Sequence, residues 1–170
     1  AVYSGEADVT NDYFAYSIRS GLYGFDGTIV RATNNTLLGN AFGGNVADRD
    51  AAISLGSGGP QVIRNNNVVS NMFGMQCDSC VAVWDHNNVW GNTTNHAGDA
   101  SADPSGVSFD PLFVSVSQGN LRLSPVSPLI DAGSTVGAPD HDWDGLARPS
   151  GLGVDIGADE WTLTDYTLVI

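Results

Sequence analysis

Lysine is absent from this 170-residue chain. Its six basic residues are all arginine (19, 31, 49, 64, 122 and 148), set against 19 acidic residues, for a formal charge of −13. No basic stripe exists to neutralise phosphates, which excludes nucleic acid and anionic membrane surfaces as partners. The acidity fits a secreted or cell-surface protein and fits cation binding, although acidity also serves solubility alone. No apolar run approaches the roughly 18 residues that a membrane helix needs. No long segment carries apolar residues at helical spacing, so helix-based folds are excluded as well. The chain has neither an initiator Met nor a signal peptide, and reads as a mature form or as a piece of a longer chain. Cysteine is scarce. Cys77 and Cys80 form a single Cys-Asp-Ser-Cys, open to three readings: a redox motif, half a zinc site with His86 and His96, or a local disulfide at a corner. No GxSxG elbow and no HExxH occurs.

What the chain has is a repeat. Asn35-Thr36-Leu37-Leu38-Gly39-Asn40, Asn66-Asn67-Val68-Val69-Ser70-Asn71 and Asn87-Asn88-Val89-Trp90-Gly91-Asn92 share one pattern: Asn, any residue, two apolar residues, a small residue, Asn. Fainter copies start at Asn11 and Asp110, so the steps between leading positions 11, 35, 66, 87 and 110 are 24, 31, 21 and 23. A period in the low twenties predicts a solenoid, in which each unit buries its apolar face only by stacking on its neighbours. Short Val-, Ile-, Leu-, Tyr- and Phe-rich runs between Gly, Asn, Asp and Ser turns predict many short strands.

In register, Asn11, Asn35, Asn66 and Asn87 form one predicted structural ladder, with Asp110 at its end. Amides both donate and accept, and Asn tolerates left-handed corners. Two apolar columns run beside it: Tyr13, Leu37, Val68, Val89 and Leu112, then Phe14, Leu38, Val69, Trp90 and Phe113. In an extended segment one member of each adjacent pair faces inward. Before the turn, Gln61–Arg64 aligns with Ala82–Asp85. The preferred register points Ile63 and Trp84 inward and sets Arg64 beside Asp85 on the outside. The 31-residue step carries an insertion placed at Ala47–Pro60, and insertions in solenoids go to loops on one face, often the binding face.

From Phe109 the chain reads FDPLFVSVSQGNLRLSPVSPLIDAGS, then DHDWDG, then ARPSGLGVDIGADEW. This tail resembles those of secreted bacterial right-handed parallel β-helix proteins of the pectate-lyase-like superfamily, closely over Phe109–Trp161 and more loosely over the coils before it. The resemblance implies an all-β fold: a right-handed parallel β-helix of about five coils, forming a single domain over 1–170. Residues 1–114 would make the coils and 115–170 an irregular cap on the last one, with Tyr166–Ile170 as an added edge strand. It also implies an extracellular, carbohydrate-facing protein, since members cleave acidic polysaccharides while others have no known activity.

Asp140-His141-Asp142-Trp143-Asp144-Gly145 has the opening of a calcium loop, with carboxylates at alternate positions and Gly for the turn. Asp155 or Glu160 would complete the ligand set Asp140, Asp142, Asp144, Asp155 and Glu160. The competing reading is a turn held by Asp side chains on backbone amides. For catalysis, Asp48 and Asp50 from the insertion, with Asp78, Asp85 and Arg64, are the candidates for a polysaccharide lyase or hydrolase. Trp84, Trp90 and Trp143 are candidate sugar platforms. Asn34 and Asn92 open N-x-Thr sequons. Three functions follow: a carbohydrate-binding module with a calcium-pinned cap, an enzyme on acidic polysaccharide, or an assembly module without ligand. The open first coil, through Val9, Tyr13 and Phe14, is a candidate homodimer surface.

Overall fold

Short apolar runs between Asn and Gly corners give the chain no helix to form, and it coils instead. The computed structural model describes residues 5–43 and 50–163. Among these, twelve strands wind into about four turns, each turn giving one strand to each of three parallel sheets. The first coil holds β1 (Glu6–Thr10), β2 (Tyr13–Ala15) and β3 (Leu22–Gly24). The second holds β4 (Ile29–Thr33), β5 (Thr36–Leu38) and β6 (Ile53–Leu55). The third holds β7 (Gly58–Arg64), β8 (Asn67–Val69) and β9 (Phe73–Cys77). The fourth holds β10 (Cys80–Asp85), β11 (Asn88–Trp90) and β12 (Thr94–Gly98). Sheet one is β1-β4-β7-β10, sheet two β2-β5-β8-β11 and sheet three β3-β6-β9-β12. The fold is thus the expected all-β parallel β-solenoid.

The fifth copy of the repeat does not coil. One bridge, Asn88 to Val107, starts another turn. The chain then folds back as an antiparallel hairpin of β13 (Phe113–Ser115) and β14 (Asn120–Leu123), joined by a 3-10 turn at Val116–Gln118. Pro111 and the left-handed Leu112 divert the strand before it can join the stack.

Two of the predicted columns shift by one residue at the first coil. Tyr13 pairs with Thr36, and Phe14 with Leu37. The inner column is therefore Phe14, Leu37, Val68 and Val89, packed with Val30, Ile53, Leu55, Ile63 and Met75 in one core. Asn11 leaves the amide ladder and joins a corner column with Asn34, Asn65 and His86, each at φ between 52° and 58°. Asn tolerates this left-handed geometry better than other side chains, and four stacked coils need it four times. The amide ladder itself runs from Asp12 through Asn35, Asn66 and Asn87 to Asp103. Each member's oxygen accepts the backbone N–H of the coil before it, at 2.9, 3.1, 3.0 and 3.1 Å in turn. A second ladder, unforeseen, joins Ser17, Asn40, Asn71 and Asn92 in the same way. Of the two registers open for the strand before the turn, the preferred one holds: Ile63 is fully buried, Trp84 packs on the core and Val83 is exposed.

The insertion lies earlier than expected. Between β5 and β6 the chain runs through residues 39–52, against only 70–72 between β8 and β9. Ile53–Leu55, placed by the sequence inside the insertion, is a fully buried strand of sheet three. Tyr166–Ile170 lies outside the described residues.

The tail is not a plug on the last coil. It runs back across the outer face of sheet two as far as the first coil. Corner side chains hold it: Asn11 Nδ2 donates to His141 O, Asn34 Nδ2 to Asp155 O, and Asn65 Nδ2 to Ser134 O while its Oδ1 accepts the N–H of Ser134. Gly157, at φ 116°, passes so close to Thr36 and Asn67 that a Cβ would stand 2.9 Å from Thr36 Oγ1. Leu123, Leu129 and Ile156 give the tail a small core of its own.

Candidate functional site

In sheet two the residue after each inward one points out. Leu37, Val68 and Val89 face in, so Leu38, Val69 and Trp90 face out. These three are apolar, and they floor a groove of about 410 Å3. Its walls are Tyr16, Phe42 from the insertion, Asp110 and Pro111 from the segment leading into the hairpin, and Phe113 and Val116 from the hairpin. Tyr16 and Phe42 are each 64% exposed. Beyond Tyr16 lies a second hollow of about 290 Å3, lined by Tyr13, Tyr16, Leu121, Arg122 and Trp143 among others. There Trp143 packs edge-on against Tyr13, with ring centroids 5.2 Å apart, and the Arg122 guanidinium lies 5.8 Å from the Trp143 ring. Burial, then the nearby Asp159 charge, raises the Tyr13 hydroxyl above its ordinary range, so it stays neutral. Six aromatic rings therefore follow one face. Asp110 is the one charged residue of the larger hollow among the described residues, its Oδ1 accepting the N–H of Leu112 at 3.0 Å.

A polar cluster occupies the β10–β11 corner. Arg64 Nε donates to Asp85 Oδ2 at 2.6 Å, His86 Nδ1 lies 2.6 Å from Asp85 Oδ1, and Ser105 Oγ lies 3.0 Å from that oxygen and 2.7 Å from Asp103 Oδ1. Burial opposes ionisation of Asp85. The hydrogen bonds from His86, Arg64 and Ser105 outweigh it and hold the carboxyl below its usual range. Arg64 also donates to Val136 O, so the cluster anchors the tail.

Of the sequence-predicted catalytic residues, Arg64 and Asp85 meet, and the other described ones stand apart from them. Asp78 and Asp85 flank β10 at opposite ends, roughly 20 Å apart at strand spacing. Asp50 is buried and paired with Arg19 at 2.9 Å, and Asp48 lies outside the described residues. Asp78 accepts from Gln76 Nε2 at 3.1 Å.

The acidic loop is held by its own amides. Asp142 Oδ1 accepts the N–H groups of Asp144 and Leu146, and its Oδ2 accepts that of Glu160. Asp155 accepts from Asp131 and Trp161, and Glu160 from Ser150, Asp155 and Arg148. Asp144 pairs with Arg122, and Asp140 is exposed. Burial and then the Glu160 charge push Asp155 up to about 7. Among the described residues no group of three His, Cys, Asp or Glu side chains is placed to hold a metal ion. The donor set Asp140, Asp142, Asp144, Asp155 and Glu160 does not fit a calcium cage.

Cys77 and Cys80 are joined as a disulfide at the β9–β10 corner, which removes them from zinc ligation. His96 pairs with Met75 in sheet three, and burial lowers its pKa. Trp84 packs inward and is no sugar platform, whereas Trp90 and Trp143 line the hollows. Both sequon asparagines sit in structural columns, Asn34 fully buried. Val9 and Phe14 pack on the core and Tyr13 lies against Trp143, so the proposed dimer patch is divided between two faces. Sequence reasoning missed Tyr16, Phe42, Asp103 and Ser105. One signal for the groove was available: both members of each pair at 37/38, 68/69 and 89/90 are apolar, which a solvated outer face does not need.

No family model, no curated protein and no solved structure matches the chain.

Proposed function

We propose that this chain is an extracellular carbohydrate-binding module, a β-helix of the pectate-lyase-like kind suggested by its tail. The observation that carries the reading is the row of aromatic side chains on the outer face of sheet two, from Trp143 through Tyr13 and Tyr16 to Phe42, Trp90 and Phe113. Aromatic faces with polar rims suit the apolar faces of sugar rings, and a hollow of about 410 Å3 lies within the usual range for ligand sites. The insertion supplies a wall of the groove through Phe42, where solenoid insertions commonly serve binding. The disulfide and the acidity support an extracellular setting.

Polysaccharide cleavage has less support. A hydrolase needs a carboxylic acid kept protonated beside a second carboxylate. Asp85 is held ionised instead, and Asp155 is buried among amides. Affinity electrophoresis through gels of soluble polysaccharide tests the proposal. Wild-type protein is retarded by at least one polymer, and Trp90→Ala migrates as in an empty gel. Retardation unchanged in Trp90→Ala contradicts the assignment of the groove.

A further inference from the structure

The lining of the groove carries charge of one sign among the described residues. Asp110 is its single charged lining residue among those described. Five of the six arginines are already held by carboxylates, two of them with little or no exposure. The sixth, Arg49, lies outside the described residues. Arg122, in the adjoining hollow, is tied to Asp144 and Asp159. Among the described residues the lining of the groove offers the carboxylates of a uronic acid polymer no counter-charge, on a molecule of net charge −13. A polymer carrying ammonium groups meets the opposite situation. Its charge is complementary to Asp110, and aromatic faces attract cations as well as sugar rings.

Resting on the carbohydrate reading above, we infer that the groove recognises an amine-bearing polysaccharide, a chain of amino sugars with free ammonium groups. Trp90 and Phe113 stack the rings, and Asp110 accepts hydrogen bonds from an ammonium group. The overall negative charge raises the local concentration of such a chain, but the selective contact is Asp110.

Three hexasaccharides measure this by calorimetric titration at physiological salt: β-1,4-linked glucosamine, glucose and galacturonate. The glucosamine hexamer binds most tightly and the galacturonate hexamer most weakly. Asp110→Asn lowers affinity for the glucosamine hexamer about tenfold, as expected for one charge-assisted hydrogen bond, and lowers affinity for the glucose hexamer by a smaller factor. Asp110 is exposed, and Asn keeps the Oδ1 that accepts the Leu112 N–H, so this variant retains the turn. Equal or tighter binding of galacturonate overturns the inference while leaving the carbohydrate reading intact. An unchanged glucosamine preference in Asp110→Asn overturns it too, by assigning the preference to net charge. Binding of none of the three hexamers, with no polymer retarding the protein in gels, overturns both.

Discussion

At the scale of single residues, the Asn side chains do the work that backbone ladders do elsewhere. Asn66 Nδ2 donates to Ala32 O at 2.8 Å and to Asn87 Oδ1 at 3.0 Å, while its Oδ1 accepts from Asn35 N at 3.1 Å. Asn66→Ala therefore strands at least two buried backbone groups, at about 1–3 kcal/mol each. Urea unfolding of Asn66→Ala should show a loss of about 3 kcal/mol, and a loss under about 1 kcal/mol would mean that the ladder is decorative. Asp155 makes a second prediction. Its folded pKa of about 7 stands above the roughly 3.9 of an unfolded Asp. Between those values the native state holds a proton that the unfolded chain has released, so stability falls as pH rises from about 4 to about 7. Asp155→Asn should flatten the slope of unfolding free energy against pH over that window, and an unchanged slope would remove Asp155 as its source. The ladder residues at 35, 66 and 87 were legible because their spacing repeats. Asn11 was not, because adjacent Asn11 and Asp12 both suit a corner, and only pairing across coils shows which of them turns and which bonds.

At the scale of elements, the strands were readable and the tail was not. One member of each apolar pair had to face in once the segment was extended, and the structure shows these to be Leu37, Val68 and Val89, while the choice between Val62 and Ile63 followed from setting Arg64 beside Asp85. Nothing in the tail's Pro and Gly spacing says where it docks, since its partners are corner side chains more than 60 residues away. Arg148 is the centre of that docking. It is buried, bonded to Glu160 at 2.6 Å, to the carbonyls of Gly157 and Ala158, and to Asn11 Oδ1 at 3.4 Å. Removing one partner of a buried pair costs about 3–5 kcal/mol. Arg148→Met should release the tail while the coils persist. Limited proteolysis would then cut within residues 124–163 and Trp143 emission would shift to the red, with the far-ultraviolet β signal retained. Joint loss of the tail and the β signal would mean that coils and tail fold only together.

At the scale of the whole molecule, a four-turn stack has two ends and one covered side. The ends are β1, β2 and β3 at one limit and β10, β11 and β12 at the other. Charged Glu6 and Asp8, paired with Arg31, blunt the first edge. The covered side is sheet two, where tail, insertion and coil corners meet around the aromatic row, and that meeting makes the groove. The candidate catalytic residues were read from sequence as one face because charge is easy to see there. The strand length that separates Asp78 from Asp85 becomes visible only when the coils are counted. The measurement that tests the account most directly is a chemical-shift map of the 15N-labelled protein titrated with the glucosamine hexamer. Perturbations gathered on Tyr16, Gly39, Ser70, Trp90 and Phe113, with the Trp90 indole N–H moving most, are the predicted result. Perturbations centred on Asp85, His86 and Ser105 instead would place the binding face at the polar corner and contradict the account.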